Sequence, residues 1–152
     1  MKIFILAVGK IGRAPEQELI ERYNKRLSSP LQIIEVEEKR PIKGNERKEK
    51  EGELLLSALP QNAHLIILDE KGRNFTSVEF SKKISNTQDD GVNDLAFIIG
   101  GSDGLSDAVK SRANLSISFG NMTWPHILVR SMLIEQIYRA YTIMNRHPYH
   151  KI

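Results

Sequence analysis

Cysteine is absent from this 152-residue chain. Disulfide bonds, thiolate nucleophiles and cysteine-built zinc sites are therefore excluded, and a cytoplasmic location is compatible with that composition. No apolar run approaches the roughly 20 residues needed to span a bilayer, so no membrane partner is expected. Internal repeats, low-complexity tracts and linkers are also lacking. The charge is close to balanced, at +3 with a pI near 9.2. Such a mild basic excess permits a nucleic-acid partner without demanding one, and a solvated basic surface has the same composition.

What is present is a hydrophobic fraction of 40%, enough for a core, in a chain sized for a single domain over residues 1–152. Met1 to Gly9 begins with a charge and an apolar run, as a signal peptide does. The run is short, however, and Lys10, Arg13 and Glu16 follow at once, so a buried first strand is the expectation.

Apolar runs rich in β-branched residues alternate with helical patterns. Strands are expected at residues 2–8, 31–36, 64–68, 95–99 and 115–119. Helices are expected at 15–27, with Pro15 in the first turn, and at 46–59, 77–86, 105–111 and 126–144. The helix at 77 is capped by Thr76 or Ser77. Residues 39–45 read as an exposed basic loop and 69–74 as a turn. This alternation predicts an α/β fold, a mostly parallel sheet with helices on both faces.

In such a sheet, ligands bind beyond the carboxyl ends of the strands. Three segments of unusual composition leave those ends: Leu68-Asp69-Glu70-Lys71-Gly72, Ile99-Gly100-Gly101-Ser102-Asp103-Gly104-Leu105, and Phe119-Gly120-Asn121-Met122-Thr123-Trp124-Pro125-His126. The glycine segment lets backbone approach a ligand. It fits neither a dinucleotide fingerprint nor a phosphate loop, and a plain tight turn has the same composition. Phe119, Met122 and Trp124 are able to wall a purine whose edge meets the exposed backbone of the turn, although each alone reads as well as a core residue.

The 126–144 helix is apolar around most of its circumference, with Ser131, Glu135, Arg139 and Thr142 on a narrow polar arc. A helix of that kind is buried between two surfaces, and a homodimer packed through it is expected. His126 and Arg130 stand four residues apart on the apolar side, where polar groups need partners or a cavity. The tail Asn145-Arg146-His147-Pro148-Tyr149-His150-Lys151 combines base-stacking with phosphate-binding side chains. A metal at its histidines is disfavoured by the intervening proline and the lack of an acidic ligand.

Taken together, these segments resemble the SPOUT-class methyltransferases that act on N3 of a pseudouridine in bacterial 23S ribosomal RNA. The resemblance runs the whole length, from Lys2-Ile3 and Ala7-Val8-Gly9-Lys10 through Ile99-Gly100-Gly101, Ser118-Phe119, Met122-Thr123 and Pro125-His126. Its most specific parts are the segment from Ser118-Phe119 to Val129-Arg130, then Glu135-Gln136-Ile137-Tyr138-Arg139-Ala140 and Pro148-Tyr149-His150-Lys151.

The resemblance implies a C-terminal trefoil knot and S-adenosylmethionine held by Leu68, Gly100 and Phe119, Gly120, Asn121, Met122, Thr123 and Trp124. It further implies an obligate homodimer in which each tail reaches the partner's cofactor, and the assembled ribosome as substrate. The imide proton at N3 must leave, and His150 or His126 is expected to take it. Arg130 is expected to stabilise charge on the base, and Tyr149 to stack on the base or hydrogen-bond to it. Arg139, Arg146 and Lys151 are expected on RNA, with the Arg22, Lys25 and Arg26 face and the 39–43 loop. The rivals are a transfer RNA methyltransferase of the same fold, a non-catalytic ribosome-assembly factor, and a nucleotide- or flavin-binding electron carrier.

Overall fold

The computed structural model describes residues 1–151. Five strands and five helices follow in alternation: β1 (Lys2–Val8), α1 (Pro15–Arg26), β2 (Gln32–Val36), α2 (Gly44–Ala58), β3 (His64–Asn74), α3 (Ser77–Asp89), β4 (Asp94–Ile99), α4 (Asp107–Arg112), β5 (Leu115–Ser118) and α5 (His126–Met144). All strand pairs are parallel, in the order β2-β1-β4-β3-β5. The fold is thus α/β, as the alternation predicts.

β1 and β4 are buried along nearly their whole length, which is why their sequences are unbroken apolar runs rather than alternating ones. Successive side chains feed two separate cores. Ile3, Ile5, Ala7, Leu95 and Phe97 pack with Ile20, Phe80, Ile84, Leu133, Ile134 and Ile137. Phe4, Leu6, Val8, Ala96 and Ile98 pack with Leu55, Leu105 and Val109. Helices α1, α3 and α5 thus cover one face, and α2 and α4 the other. Each fully buried Leu, Ile or Phe contributes about 1.5–3 kcal/mol.

Local chemistry sets the helix ends. α1 opens on Pro15, with Glu16 and Glu18 in its first turn and Lys25 and Arg26 in its last, the charge order that suits the helix dipole. Thr76 caps α3 in a reciprocal pair with Glu79. α4 begins at Asp107, two residues later than the pattern suggests: Ser106 caps it while Leu105 turns into the core.

One expected turn is instead part of a strand. β3 continues to Asn74, but its register on β5 shifts, so that Ile117 pairs first with Leu68 and again with Arg73. The residues between loop out of the ladder. Gly72 permits this, because a Cβ there would lie 2.5 Å from the Ile117 carbonyl carbon.

Candidate active site

The three strand-exit segments meet beyond the carboxyl edge of the sheet and enclose a cavity of about 760 Å³. Leu68, Asp69, Glu70 and Lys71 form one wall and Gly100 to Leu105 a second. Phe119, Gly120, Met122, Thr123, Trp124, Pro125 and His126 form the third. Of the residues singled out for a small ligand, Leu68, Gly100, Phe119, Gly120, Met122, Thr123 and Trp124 line this space. Asn121 is exposed and is not part of the lining.

The third wall is built from its own backbone. The Ser118 hydroxyl donates to the Gly120 carbonyl at 2.8 Å and accepts from the Gly120 N–H at 3.2 Å. Gly120 sits at φ 112°, a conformation that a side chain disfavours. The Trp124 indole N–H donates to the Phe119 carbonyl at 3.4 Å. Met122 is 75% exposed and Trp124 41%, so both stand on the rim instead of in the core. His126 opens α5 at this rim. Burial, and then the neighbouring Arg130 charge, hold its imidazole below the ordinary value, so it is a neutral proton acceptor at pH 7.

The second wall rests on α2, which the sequence pattern marks only as a charged helix. Arg47 bonds Asp103 at 2.5 Å and the Ser102 hydroxyl at 3.0 Å. Glu51 is buried behind Gly101. Gly52 lets α2 come this close, since a Cβ there would lie 2.2 Å from the Ser106 hydroxyl. Sequence periodicity gives no sign of Arg47 or Glu51 as site residues; only the KEGE run at residues 50–53, with a glycine inside a helix, departs from an ordinary solvated face.

Arg130 does not face the cavity. Its guanidinium is 1% exposed and bonds Glu35 at 2.6 Å, the Val8 carbonyl at 2.8 Å and the Gly9 carbonyl at 2.7 Å. Glu35 also accepts from the Ile11 N–H at 2.7 Å. The expected role on the target base therefore gives way to a structural one. Arg130 ties the start of α5 to the exits of β1 and β2, and its charge is spent on those partners.

Within one chain, the tail adds nothing to the cavity lining: it leaves the far end of α5, a helix roughly 28 Å long, and folds back to Glu135 at mid-helix. The Tyr149 hydroxyl donates to Glu135 at 2.9 Å, and its ring meets Tyr138 edge-on at 4.7 Å. Arg139 lies 5.0 Å from the Tyr149 ring centre and is paired with Glu135. Burial and its hydrogen bonds to the Tyr23 hydroxyl, at 3.4 Å, and to Glu135 push the Tyr149 phenol above its ordinary value, so it remains a donor. His150 is half-buried, while Arg146 and Lys151 are exposed.

A second, more apolar groove of about 460 Å³ runs between α1, α3 and α5, with Leu19, Tyr23, Leu128 and Met132 in its walls. Ser131, on the narrow polar arc of α5, is buried there with its hydroxyl unpartnered. Thr142 is also buried, its hydroxyl bonded to the Arg139 carbonyl. Ile117, Ser118 and Phe119 border both cavities. Among the described residues, no three His, Asp or Glu side chains gather as a metal site, and no helix is long and apolar enough to cross a membrane.

A mixed cavity of this size, with backbone amides, apolar walls and a neutral imidazole at its rim, suits an adenosine-sized ligand and a proton transfer. Comparison with known proteins agrees in kind. Residues 1–150 match the family described as "Predicted SPOUT methyltransferase". The chain is 52% identical over 151 residues to a protein of Paramagnetospirillum magneticum named "Ribosomal RNA large subunit methyltransferase H", covering 99% of each chain. Proteins of the same name from Rhodospirillum centenum and Bartonella bacilliformis are 46% and 43% identical, again with 99% of each chain covered.

Proposed function

This chain belongs to the SPOUT methyltransferase family, and from that membership we propose that it transfers a methyl group from S-adenosylmethionine to N3 of a pseudouridine in 23S ribosomal RNA, within the assembled ribosome. The observation that carries this is the convergence of three strand-exit loops on one cavity with His126 at its rim.

The cavity fits the cofactor in size and in lining. Its volume of about 760 Å³ lies in the range of small-ligand sites. At Gly100 and Gly101 a Cβ would crowd Leu105, Val8 and Glu51, so only glycine lets this loop pack so closely at the cavity wall. Phe119, Met122 and Trp124 supply apolar surface for the adenine. When bound, S-adenosylmethionine supplies an electrophilic methyl on a positively charged sulfur.

The protein's task is then to place the base and remove its N3 proton. His126, neutral at pH 7, takes that proton. Arg130 fixes the helix start that carries His126. The partner subunit's tail completes the site: Tyr149 anchors it through Glu135, and His150 closes over the target base. A trefoil knot belongs to the same proposal. In its support, α5 leaves the edge strand β5, yet Arg130 near its start bonds carbonyls at the end of β1 and just beyond it, past β3 and β4.

The homodimer forms through α5 and the apolar groove beside it, where Leu128 and Met132 stay half-exposed in the single chain. RNA is held by Arg146 and Lys151, with the exposed Arg22, Lys25 and Arg26 face and the 39–43 loop. Arg139 contributes less charge, being paired with Glu135.

Calorimetry with S-adenosylmethionine, followed by methylation of ribosomes, free 23S RNA and transfer RNA with labelled cofactor, tests the proposal. Mass spectrometry locates the methyl group. Labelled pseudouridine in ribosomes is the expected result. Label only in transfer RNA refutes the substrate, and no cofactor binding refutes the enzyme.

A further inference from the structure

Glu51 is the one buried carboxylate of the described chain that lies beside the candidate active site without using a hydrogen-bonding partner on Oε1. Its residue is 7% exposed, and Oε1 has neither a partner nor solvent. It lies directly behind Gly101: a Cβ on that glycine would sit 3.2 Å from Oε2 and 3.4 Å from Oε1. Gly101 in turn lines the cavity on its other side. Only a strip of glycine backbone separates the carboxyl from the ligand space.

α2 cannot easily swing away to hydrate this group. Arg47, one turn earlier, is fastened to Asp103 and Ser102 of the same loop, and Gly52 is packed on Ser106. The charged groups that face Glu51 are Arg47 from α2, Asp103 from the glycine loop and Glu38 from the segment after β2. Arg47 is already engaged by Asp103, so the surroundings leave a carboxylate under-compensated. Burial accordingly pushes the Glu51 carboxyl above its ordinary value.

An under-compensated negative charge behind a ligand site favours a cation in front of it, and low-dielectric surroundings extend its reach. The substrate form of the cofactor carries a positive sulfonium, whereas S-adenosylhomocysteine, left after transfer, is a neutral thioether. We propose that Glu51 is a specificity-determining residue that makes the cavity prefer the sulfonium over the spent thioether, and so aids product release. This rests on the methyltransferase proposal above. Glu51 touches no reacting atom. It acts through charge across Gly101.

Ionised Glu51 is the form that favours the cation, so the preference grows as pH rises through its titration. The test measures Kd for S-adenosylmethionine and S-adenosylhomocysteine by calorimetry from pH 4, below the ordinary glutamate value, to pH 8.5, in wild type, Glu51→Gln and His126→Asn. In wild type the ratio of the thioether's Kd to the sulfonium's Kd is expected to rise with pH. Glu51→Gln keeps the size of the side chain but lowers the ratio by about three- to tenfold at pH 8, in the range for a charge at second-neighbour distance, and flattens its pH dependence. His126→Asn retains the dependence, because the rim imidazole does not carry it.

An unchanged ratio in Glu51→Gln overturns the inference. A flat ratio in His126→Asn overturns it as well, even where Glu51→Gln does not fold. If neither ligand binds wild type, the methyltransferase proposal falls too. If both bind and only the ratio fails to respond, that proposal stands and this one does not.

Discussion

Arg130 and Glu35, 95 positions apart in sequence, meet at 2.6 Å and lock the first turns of α5 onto the ends of β1 and β2. The same guanidinium holds two backbone carbonyls of the β1 exit. Removing it takes the guanidinium from those carbonyls and leaves Glu35 with the Ile11 N–H alone. Arg130→Met is expected to lower stability by about 3 kcal/mol. Glu35→Gln, which leaves a hydrogen-bonding group at a partly open position, should lose less than half of that. Urea unfolding of both variants checks the order. Arg130→Lys should not rescue, since one ammonium cannot reproduce the planar fork.

Methyl transfer should show an acid limb set by His126. The imidazole accepts a proton only when neutral. Its pKa is held below the ordinary value, about 6.5, by burial and by Arg130. The rate therefore falls only as pH drops below that value, and His126 imposes no pH dependence above it. His126→Asn should lower turnover about a hundredfold and abolish the limb. A limb that survives in the variant assigns proton removal elsewhere.

The tail should act in turnover and not in cofactor binding. His150→Ala is expected to lower methylation of ribosomes by about a hundredfold or more, with the Kd for S-adenosylmethionine unchanged by calorimetry. Tyr149→Phe, which removes the hydrogen bond to Glu135 but keeps the ring against Tyr138, should fall between the variant and wild type.

The proposed sharing of one site between two subunits is decided by a complementation experiment. Trp124→Ala damages the cavity rim and His150→Ala the tail. Each homodimer is expected to be nearly inactive. Co-refolding them in equal amounts should restore about a quarter of wild-type activity, because half of the dimers carry one site with both parts intact. No recovery places the tail and the cavity in the same chain. Met132→Glu, in the apolar groove, should give a species of monomer mass in sedimentation and abolish transfer.

How much of this was legible in the sequence divides along the range of the interactions. Apolar runs and cap residues act over a few positions, so the strands, a cap at Thr76 or Ser77 and the bounds of α5 could be read directly. The rule that ligands sit beyond parallel strands pointed to the three loops that enclose the cavity. Long-range partnerships were not legible. Nothing near Arg130 in sequence announces Glu35, and a polar residue on an apolar stripe reads alike for a reactive group and for a buried strut. Arg47 and Glu51 sit in a run of charges whose ordinary fate is solvent. Only the docking of α2 on the glycine loop gives them a task. The extension of β3 past Leu68 depended on β5 arriving beside it with a shifted register, which composition does not encode.

Ile117, Ser118 and Phe119 border the strand-exit cavity on one side and the apolar groove on the other. A partition one strand thick has no spare material. Enlarging Phe119's space to admit a bulkier cofactor analogue would carve the same volume out of the groove proposed to seat a second copy. On that proposal, an attempt to retune this enzyme for synthetic methyl-donor analogues is read out first as a change in how tightly two copies hold together.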